Sequence, residues 1–250
     1  MSRLGRLVVF GLGALGLVVA LLLAFDALPH FGGASHPYGD RAVHASIAQK
    51  TSNVISSLAF DQRGFDTVGE EFILVLSVLG GTLLMRAGKD EEPGSEEGNE
   101  IRNPEVSDAV RLAGYLALPV TLLIGGYLVA HGAVSPGGGF QGGVALATGI
   151  HLLYVAGDYR ALGRIRPVAL FEAAEAAGVT AFVALGLAGL ATGAAFLTNV
   201  LPLGSYQKLA SAGTVPLLSA AVGVAVLSSV VVLLSEFLEQ TLVVRLKDKP

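Results

Sequence analysis

Four acidic side chains stand inside, or at the edge of, long apolar stretches of this sequence. Glu70 and Glu71 directly precede the uncharged run 72–85, and Glu172 and Glu175 lie early in a later apolar block. A carboxylate in hydrocarbon is costly, so acids at such positions face protein or water and commonly carry protons or ions. The i, i+3 spacing of the later two places both on one helix face. These four residues are candidates for a proton or cation pathway.

The same acids have an ordinary structural interpretation. Asp66 or Thr67 can cap the helix that follows, because a side-chain oxygen there accepts hydrogen bonds from the free N–H groups of the first turn. Glu70 then occupies the capping-box position relative to Thr67, and the helix dipole favours negative charge at this end. For the later two acids the alternative is compensation by Arg164 or Arg166 at the membrane surface. Both interpretations stay open, and Asp66 joins the pathway candidates.

A histidine and a glycine-rich segment complete the set. His151 lies in the middle of an apolar block, where it can join a proton path because its ordinary pKa is close to physiological pH, or bond across helices. Residues 131–143 read HGAVSPGGGFQGG. No Gly-Lys-Ser/Thr follows, so this is not a P-loop. Glycines offer backbone carbonyls but no charge, so we expect a tight re-entrant turn packed on a partner subunit rather than direct ion coordination.

The composition is that of a membrane protein. Of the 250 residues, 52% are hydrophobic and 14% are charged, and the mean hydropathy is +0.65; about 25% charged residues is usual in soluble domains. The net charge of −4 gives no basic surface for nucleic acid. The absence of cysteine removes thiolate zinc sites and cysteine-ligated clusters. We therefore expect no metal, no cofactor and no nucleic-acid partner, and, without a nucleophile–base pair, no enzyme active site.

Six apolar stretches predict an all-α, polytopic protein with about six transmembrane helices. The stretches are 7–25, 68–85, 112–130, 140–157, 168–193 and 215–235. After the first stretch we expect a loop followed by a weakly amphipathic helix over 43–60, at the membrane surface or against partner helices. The first stretch is longer than the core of a typical signal peptide, so we expect a retained helix, with cleavage between Ala34 and Ser35 as the alternative.

The stretches group into two halves. Residues 1–86 form a two-helix segment, residues 87–103 an acidic linker that cannot bury a core, and residues 104–250 a four-helix membrane domain. With the N-terminus inside, 12 of the 16 basic residues fall on the inner side. The excess of basic residues on one side predicts that both termini are cytoplasmic.

The motif HGAVSPGGGFQGG resembles the signature of the MnhB family, the B subunit of multisubunit Mrp-type Na+/H+ antiporters. The resemblance extends over about 104–245, where FLTNVLPLG at 196–204 is similar to the family's connection before the final helix. Residues 53–70, NVISSLAFDQRGFDTVGE, resemble the C-terminal tail of the large A component of the same antiporters, which also occurs as a small subunit of membrane-bound hydrogenases. The presence of both segments in one chain suggests a fusion of neighbouring subunits joined by the acidic linker.

The resemblance implies a subunit of a prokaryotic, cell-membrane assembly related to the membrane arm of complex I. Implied partners are large antiporter-like subunits, small membrane subunits, the lipid bilayer, Na+ and H+. The motif residues carried over are Asp61, Arg63, Gly64, Thr67 and Gly69 in the first half, and His131, Pro136, Gly137, Gly138, Gly139, Phe140, Gln141, Gly142 and Gly143 in the second. Glu71 departs from the pattern, because the family tends to have an apolar residue there.

The expected function is that of an accessory subunit that lines or seals part of an ion pathway between larger subunits. No lysine lies inside any predicted span, so we do not expect a complete antiporter. The pathway candidates are Glu70, Glu71, Asp66, Glu172, Glu175 and His151. Two alternatives stay open: a membrane subunit of a redox-driven ion pump of the membrane-bound hydrogenase type, and a purely structural assembly subunit.

Overall fold

A computed structural model describes residues 3–28, 36–85, 106–156 and 167–247. These residues are helical and contain no strand, which confirms the all-α prediction. The elements are α1 (Arg3–Asp26), α2 (Pro37–Ala48), α3 (Val54–Ser57), a π-helical turn (Leu58–Gln62), α4 (Gly64–Met85), α5 (Asp108–Ala130), α6 (Gly139–Val155), α7 (Val168–Ala191) and α8 (Val215–Lys247).

The long helices match the predicted spans to within a few residues, except that α8 continues well beyond 235. By length and composition, α1, α4, α5, α7 and the Val215–Phe237 part of α8 can each cross a membrane. The sixth predicted span is α6, which has 17 residues, at the lower limit for a spanning helix. The acidic linker 87–103, the cleavage point at 34–35 and the arginines at 160, 164 and 166 lie outside the described residues.

Residues 1–40 and 41–250 form two compact units. The first unit is dominated by α1, whose residues are all outside the buried class. An apolar helix with no buried face needs lipid or another protein around it, which agrees with its prediction as a spanning helix.

The second unit is built around α8. In the most apolar stretch of this helix 61% of the residues are buried, compared with 11% in the corresponding stretches of α4, α5 and α7. Helices α4, α6 and α7 pack against α8, and α5 packs mainly against α6. Leu218 and Val222 of α8 form a core with Phe182 of α7 and Phe60 of the π-helical turn. The described part of residues 41–86 therefore shares one apolar core with the second half.

The predicted helix over 43–60 is interrupted between Ala48 and Val54. Helix α2 ends at Ala48 and Lys50 takes a left-handed backbone conformation with φ 57°, which a helix cannot continue through. The turn is held by the Ser46 hydroxyl, which donates to the Thr51 carbonyl oxygen at 2.6 Å. The chain then re-enters a helix at Asn53, whose side-chain oxygen accepts from the Ile55 N–H group.

The predicted cap of α4 is wrong. The helix begins at Gly64, so Asp66 and Thr67 lie inside its first turn rather than before it. The Thr67 hydroxyl donates to the Ala59 carbonyl oxygen at 2.5 Å and is buried. Thr67 thus ties α4 to the π-helical turn, and the capping-box relation to Glu70 does not form.

Candidate functional site

Glu71 is buried inside the protein, although the residue before it is exposed. Its exposed fraction is 1%, and neither carboxylate oxygen has a hydrogen-bond partner among the described residues. It lies seven residues into α4, about 10 Å along the axis at about 1.5 Å per residue. Glu70 is exposed, because successive residues on a helix are rotated by about 100°. The helix therefore directs Glu70 outward and Glu71 inward.

Glu175 is the second interior acid. It is half-buried on α7, and its Oε1 atom accepts a hydrogen bond from the hydroxyl of Ser229 on α8. Glu172 is exposed, so the i, i+3 spacing does not give the two acids the same surroundings. Sequence analysis missed Ser229; the signal was the pair of serines at 228 and 229 within an apolar helix, both of which are buried.

Glu71 lies on α4 and Glu175 on α7, and both helices pack against α8. Helices α4 and α7 contain no lysine or arginine, and neither does α8 before residue 245. These three helices therefore supply no basic side chain that could balance the charge of the two acids. We call Glu71 and Glu175 the acid pair. A buried charge without a partner is strongly unfavourable.

The π-helical turn carries a third partly buried acid at the end of α4. Burial raises the pKa of the Asp61 carboxyl above its ordinary value. Asp61 lines a cleft of about 390 Å³ together with Gln49, Thr198 and Asn199, among others. Carboxyl, amide and hydroxyl groups around one opening form a polar surface next to the apolar core.

The remaining residues of the first-half motif lie around the start of α4. Arg63 and Asp66 form an ion pair at 2.5 Å on the surface, and such exposed pairs contribute little to stability. Gly64 lies against Leu197, and a Cβ atom at Gly64 would come within 2.9 Å of its Cδ1 atom. Gly69 faces open space, with nothing within 4 Å of an added Cβ atom.

The glycine turn, residues 131–143, connects α5 to α6. Gly137 and Gly138 have φ of +151° and +141°, where a side chain would be strained. The Gly138 N–H group donates to the Leu128 carbonyl oxygen at 3.0 Å, which folds the turn back onto α5. A Cβ atom at Gly139 would collide with the Ser219 carbonyl oxygen and with Val222. The close packing that we predicted against a partner subunit is thus found on α8 of the same chain.

The other residues of this motif surround the turn. The His131 ring stacks on Tyr127 at 3.9 Å between centroids, and Phe140 packs on the main core. Pro136 and Gln141 are exposed. Gly142 and Gly143 are buried, and an added Cβ atom would clash with α5 at the first and with α8 at the second.

Asn53 connects the first half to the glycine turn. Its side-chain amide donates to the carbonyl oxygens of Gly132, at 2.7 Å, and Ser135, at 3.0 Å. The backbone N–H groups of Ser52 and Asn53 both donate to the carbonyl oxygen of Ala133, at 3.1 and 3.2 Å. Four hydrogen bonds therefore fasten the turn before α3 to the turn before α6. Sequence analysis gave Asn53 no role beyond its place in a motif.

His151 is half-buried on α6, a different helix from those that hold the acid pair. Among the residues in the described ranges, no three His, Cys, Asp or Glu side chains are grouped so that they could hold a metal ion. The candidate site is therefore the acid pair with Ser229, and Glu70, Asp66 and Glu172 lie on the surface around it.

A helical bundle with membrane-length helices and acids in its interior is typical of membrane transport proteins. Residues 109–232 match the family model described as a domain related to the MnhB subunit of Na+/H+ antiporter. These residues form a MnhB-related domain, and the resemblance based on the glycine motif is confirmed. The family has a transporter-type rather than a catalytic role.

Two similar proteins extend the match beyond this domain. An uncharacterised protein of Methanocaldococcus jannaschii is 29% identical over an alignment of 198 residues, and the match covers 70% of this chain and 73% of that protein. A Rhizobium meliloti protein, named as the probable A/B subunit of a K(+)/H(+) antiporter, is 30% identical over 190 residues, 68% of this chain but 18% of that longer protein. Because 68% of 250 residues is about 170, and the range 104–250 has only 147, the second match includes part of the first half.

Two solved structures have the same fold. One chain of the membrane-bound sulfane sulfur reductase, an archaeal respiratory membrane complex, superposes with a TM-score of 0.67 at 26% identity, covering 94% of this chain and 99% of that one. One chain of the Mrp complex from Dietzia sp. DQ12-45-1b gives a TM-score of 0.67 at 24% identity, covering 94% of this chain and 26% of that one. The chain is accordingly a multi-pass protein of a prokaryotic cell membrane.

Proposed function

We propose that this chain is an accessory component of a multi-protein antiporter that exchanges a monovalent cation, such as Na+, for protons. It lines part of the ion pathway between larger subunits, and its own acids bind the transported proton. The MnhB domain supports the antiporter class. The similarity to a protein named as the A/B subunit of an antiporter supports a chain in which parts of two neighbouring subunits are joined.

The observation that carries this proposal is the burial of Glu71. A carboxylate with a 1% exposed fraction and no hydrogen-bond partner among the described residues would be a poor choice for a purely structural helix. Such a group is tolerated when it binds a proton or a passing cation. Glu175 is a second acid in the bundle, half-buried on α7, where it accepts a hydrogen bond from Ser229 near the middle of α8.

The exposed candidates belong to the proposed pathway through partner subunits. Glu70, Asp66 and Glu172 are exposed on the isolated chain, so they act in transport where an antiporter-like neighbour covers them. Large apolar side chains of α5 are exposed as well, for example Leu116 and Leu123. Lipid or the apolar helices of partner subunits cover such surfaces in a membrane assembly. His151 stays a pathway candidate on α6.

The proposal is tested with Glu71→Gln and Glu175→Gln in the complete complex. Inside-out membrane vesicles are energised, and the collapse of the pH gradient on adding Na+ or K+ is followed by fluorescence. We expect each variant to lower this activity at least tenfold, because an amide cannot take up and release a proton at these positions. Asp108→Asn is the matched control, since Asp108 is an exposed acid at the start of α5. Full activity of both variants in an intact complex contradicts the proposal.

A second candidate function is a membrane subunit of a redox-driven pump. It is favoured by the match to the sulfane sulfur reductase, which covers 99% of that chain and has the higher identity of the two structural matches. The proteins that co-purify with this chain in mild detergent distinguish the two functions. Antiporter-like subunits without metal-cluster proteins support the antiporter, and stoichiometric metal-cluster proteins support the pump.

A further inference from the structure

The cleft beside the π-helical turn joins two segments that are far apart in the sequence. Gln49 and Asp61 line it from the first half of the chain, and residues between 195 and 203 line it from the loop that joins α7 to α8. Asp61 belongs to the first-half motif, and the loop contains the FLTNVLPLG segment at 196–204. The structure therefore brings together two stretches that the proposed function does not use.

The loop side of the cleft is held in place by hydrogen bonds. The Asn199 side chain donates from Nδ2 to the Ala212 carbonyl oxygen at 2.9 Å and accepts at Oδ1 from the Thr214 N–H group at 2.9 Å. Leu197 has a left-handed backbone with φ 64°, which is rare for a bulky side chain. Its N–H group donates to the Gly186 carbonyl oxygen at 3.1 Å. Strained backbone of this kind persists where the surroundings impose it and is common at binding sites.

The opposite side of the cleft is formed by the π-helical turn and α2. Gln62, the last residue of the turn, donates from Nε2 to the Ala42 carbonyl oxygen and to the Ser57 hydroxyl, both at 3.0 Å. Turns of the π-helical type are rare and frequently occur at functional sites. Asp61 is therefore carried by a turn that is fixed on both sides of the cleft.

Asp61 is the one charged residue among those that the structure places around the cleft. Its carboxylate forms no ion pair or hydrogen bond within the described ranges, and the adjacent base Arg63 pairs with Asp66 instead. Gln49 and Thr198 add an amide and a hydroxyl oxygen. Carboxylate and neutral oxygens together are ligands of hard cations. One carboxylate balances one positive charge, whereas tight sites for divalent ions contain several.

We propose that this cleft binds one monovalent alkali cation, with Asp61 as its charged ligand. Gln49 and Thr198 contribute neutral oxygens, and water completes the coordination, because a cleft of about 390 Å³ has room for several water molecules at about 30 Å³ each. The charge of the ion offsets the cost of burying the Asp61 carboxylate. Asn199 is a positioning residue, since its amide is used within the loop. Binding at the cleft does not depend on the proposed function; only its use in transport does.

The test is thermal unfolding of the purified full chain in detergent, in NaCl or KCl compared with choline chloride at the same ionic strength. Choline carries the same charge but cannot be coordinated by oxygen atoms. We expect NaCl or KCl to raise the melting temperature by roughly 3–6 °C at about ten times the dissociation constant. The rise should be absent in Asp61→Asn. Asp40→Asn is the matched control, because Asp40 is an exposed acid of α2, and it should keep the full rise.

Two further variants locate the site. Thr198→Val removes a neutral oxygen at nearly constant size, so we expect the half-saturating salt concentration to rise about tenfold, the effect of losing one bond to a charged group. This variant also serves if Asp61→Asn does not fold. Glu71→Gln should keep the full rise in melting temperature, because Glu71 does not line the cleft.

Four results would overturn the inference: an unchanged response in Asp61→Asn or Thr198→Val, loss of the response in Glu71→Gln, a larger Asp61-dependent rise with MgCl2, or an Asp61-dependent rise that disappears when the chain is assembled with its partner subunits. The third would mean a divalent site, and the fourth that a basic side chain of a partner fills the cleft. The expected Asp61-dependent rise, in a complex whose Glu71→Gln variant transports normally, supports the cation site and contradicts the proposed function.

Discussion

The side-chain amide of Asn53 donates a hydrogen bond of 2.7 Å to the carbonyl oxygen of Gly132, 79 positions further along the chain. A second bond from the same amide reaches Ser135, and two backbone bonds reach Ala133. The residue type is well suited to this role, because an amide nitrogen can donate to two carbonyls at once. The two halves of the chain are thus joined through the backbone of the glycine turn as well as through the apolar core.

Removing this amide should destabilise the protein. In Asn53→Leu the carbonyl oxygens of Gly132 and Ser135 lose their donors while they stay partly buried. We expect a loss of about 2–3 kcal/mol in the free energy of unfolding, at about 1 kcal/mol per bond plus the cost of unpaired groups. The measurement is thermal unfolding in detergent. Ser52→Ala is the control, because Ser52 reaches Ala133 through its backbone N–H group; equal stability of Asn53→Leu and the control would refute the role of the amide.

The glycine turn should be intolerant of even one methyl group at its contact with α8. In Gly139→Ala the new Cβ atom meets the Ser219 carbonyl oxygen and Val222, so we expect a loss of roughly 2 kcal/mol or more from strain. Gly126→Ala, in α5, is the matched control, because nothing lies within 4 Å of its Cβ atom. Alanine there should be neutral or stabilising by up to about 1 kcal/mol. Similar yields of folded protein for both variants would argue against tight packing of the turn.

Asp61 should make stability depend on pH. Burial raises the pKa of this carboxyl, so the folded state binds more protons than the unfolded state as pH rises from the ordinary aspartate value to the raised one. The free energy of unfolding falls as pH rises through this range, and it stays at the lower value above the raised pKa. We expect Asp61→Asn to have a higher melting temperature than the wild type at neutral pH, with the difference vanishing below the ordinary aspartate pKa. A difference that is constant with pH would contradict this interpretation.

The two halves should assemble when they are made as separate chains. Residues 41–85 contact the second half through Asn53, Phe60 and the packing of α4 on α8. We expect that fragments 1–95 and 96–250, expressed together, co-purify through a tag on either one. The same pair carrying Asn53→Leu should co-purify less well. Failure of the unmodified fragments to associate would show that the covalent connection is needed for assembly.

Hydropathy alone was sufficient to predict the long helices, because the thickness of the bilayer fixes the length of an apolar span. It did not locate the start of α4. Gly64 is a weak helix former, and the π-helical turn before it has no clear sequence signal. The break at Lys50 was missed for a related reason, since a left-handed lysine is set by the contacts of the turn rather than by propensity.

The sequence also could not show which of the acids point into the bundle. Glu70 and Glu71 are adjacent, and which of them points inward depends on where α7 and α8 pack around α4. Spacing placed Glu172 with Glu175, but only Glu175 lies opposite Ser229. Asn53 illustrates the same limit, because a bond across 79 positions depends on the tertiary structure alone.

The most direct test of the central claim is cation-driven proton movement in liposomes containing the purified complex. Glu71→Gln, Glu175→Gln and the double variant are compared at equal amounts of assembled complex. If both acids bind the transported proton, each single variant should lower the rate at least tenfold, and the double variant should be at least as slow as the slower single one. Transport at the wild-type rate by the double variant, in a fully assembled complex, would contradict the account.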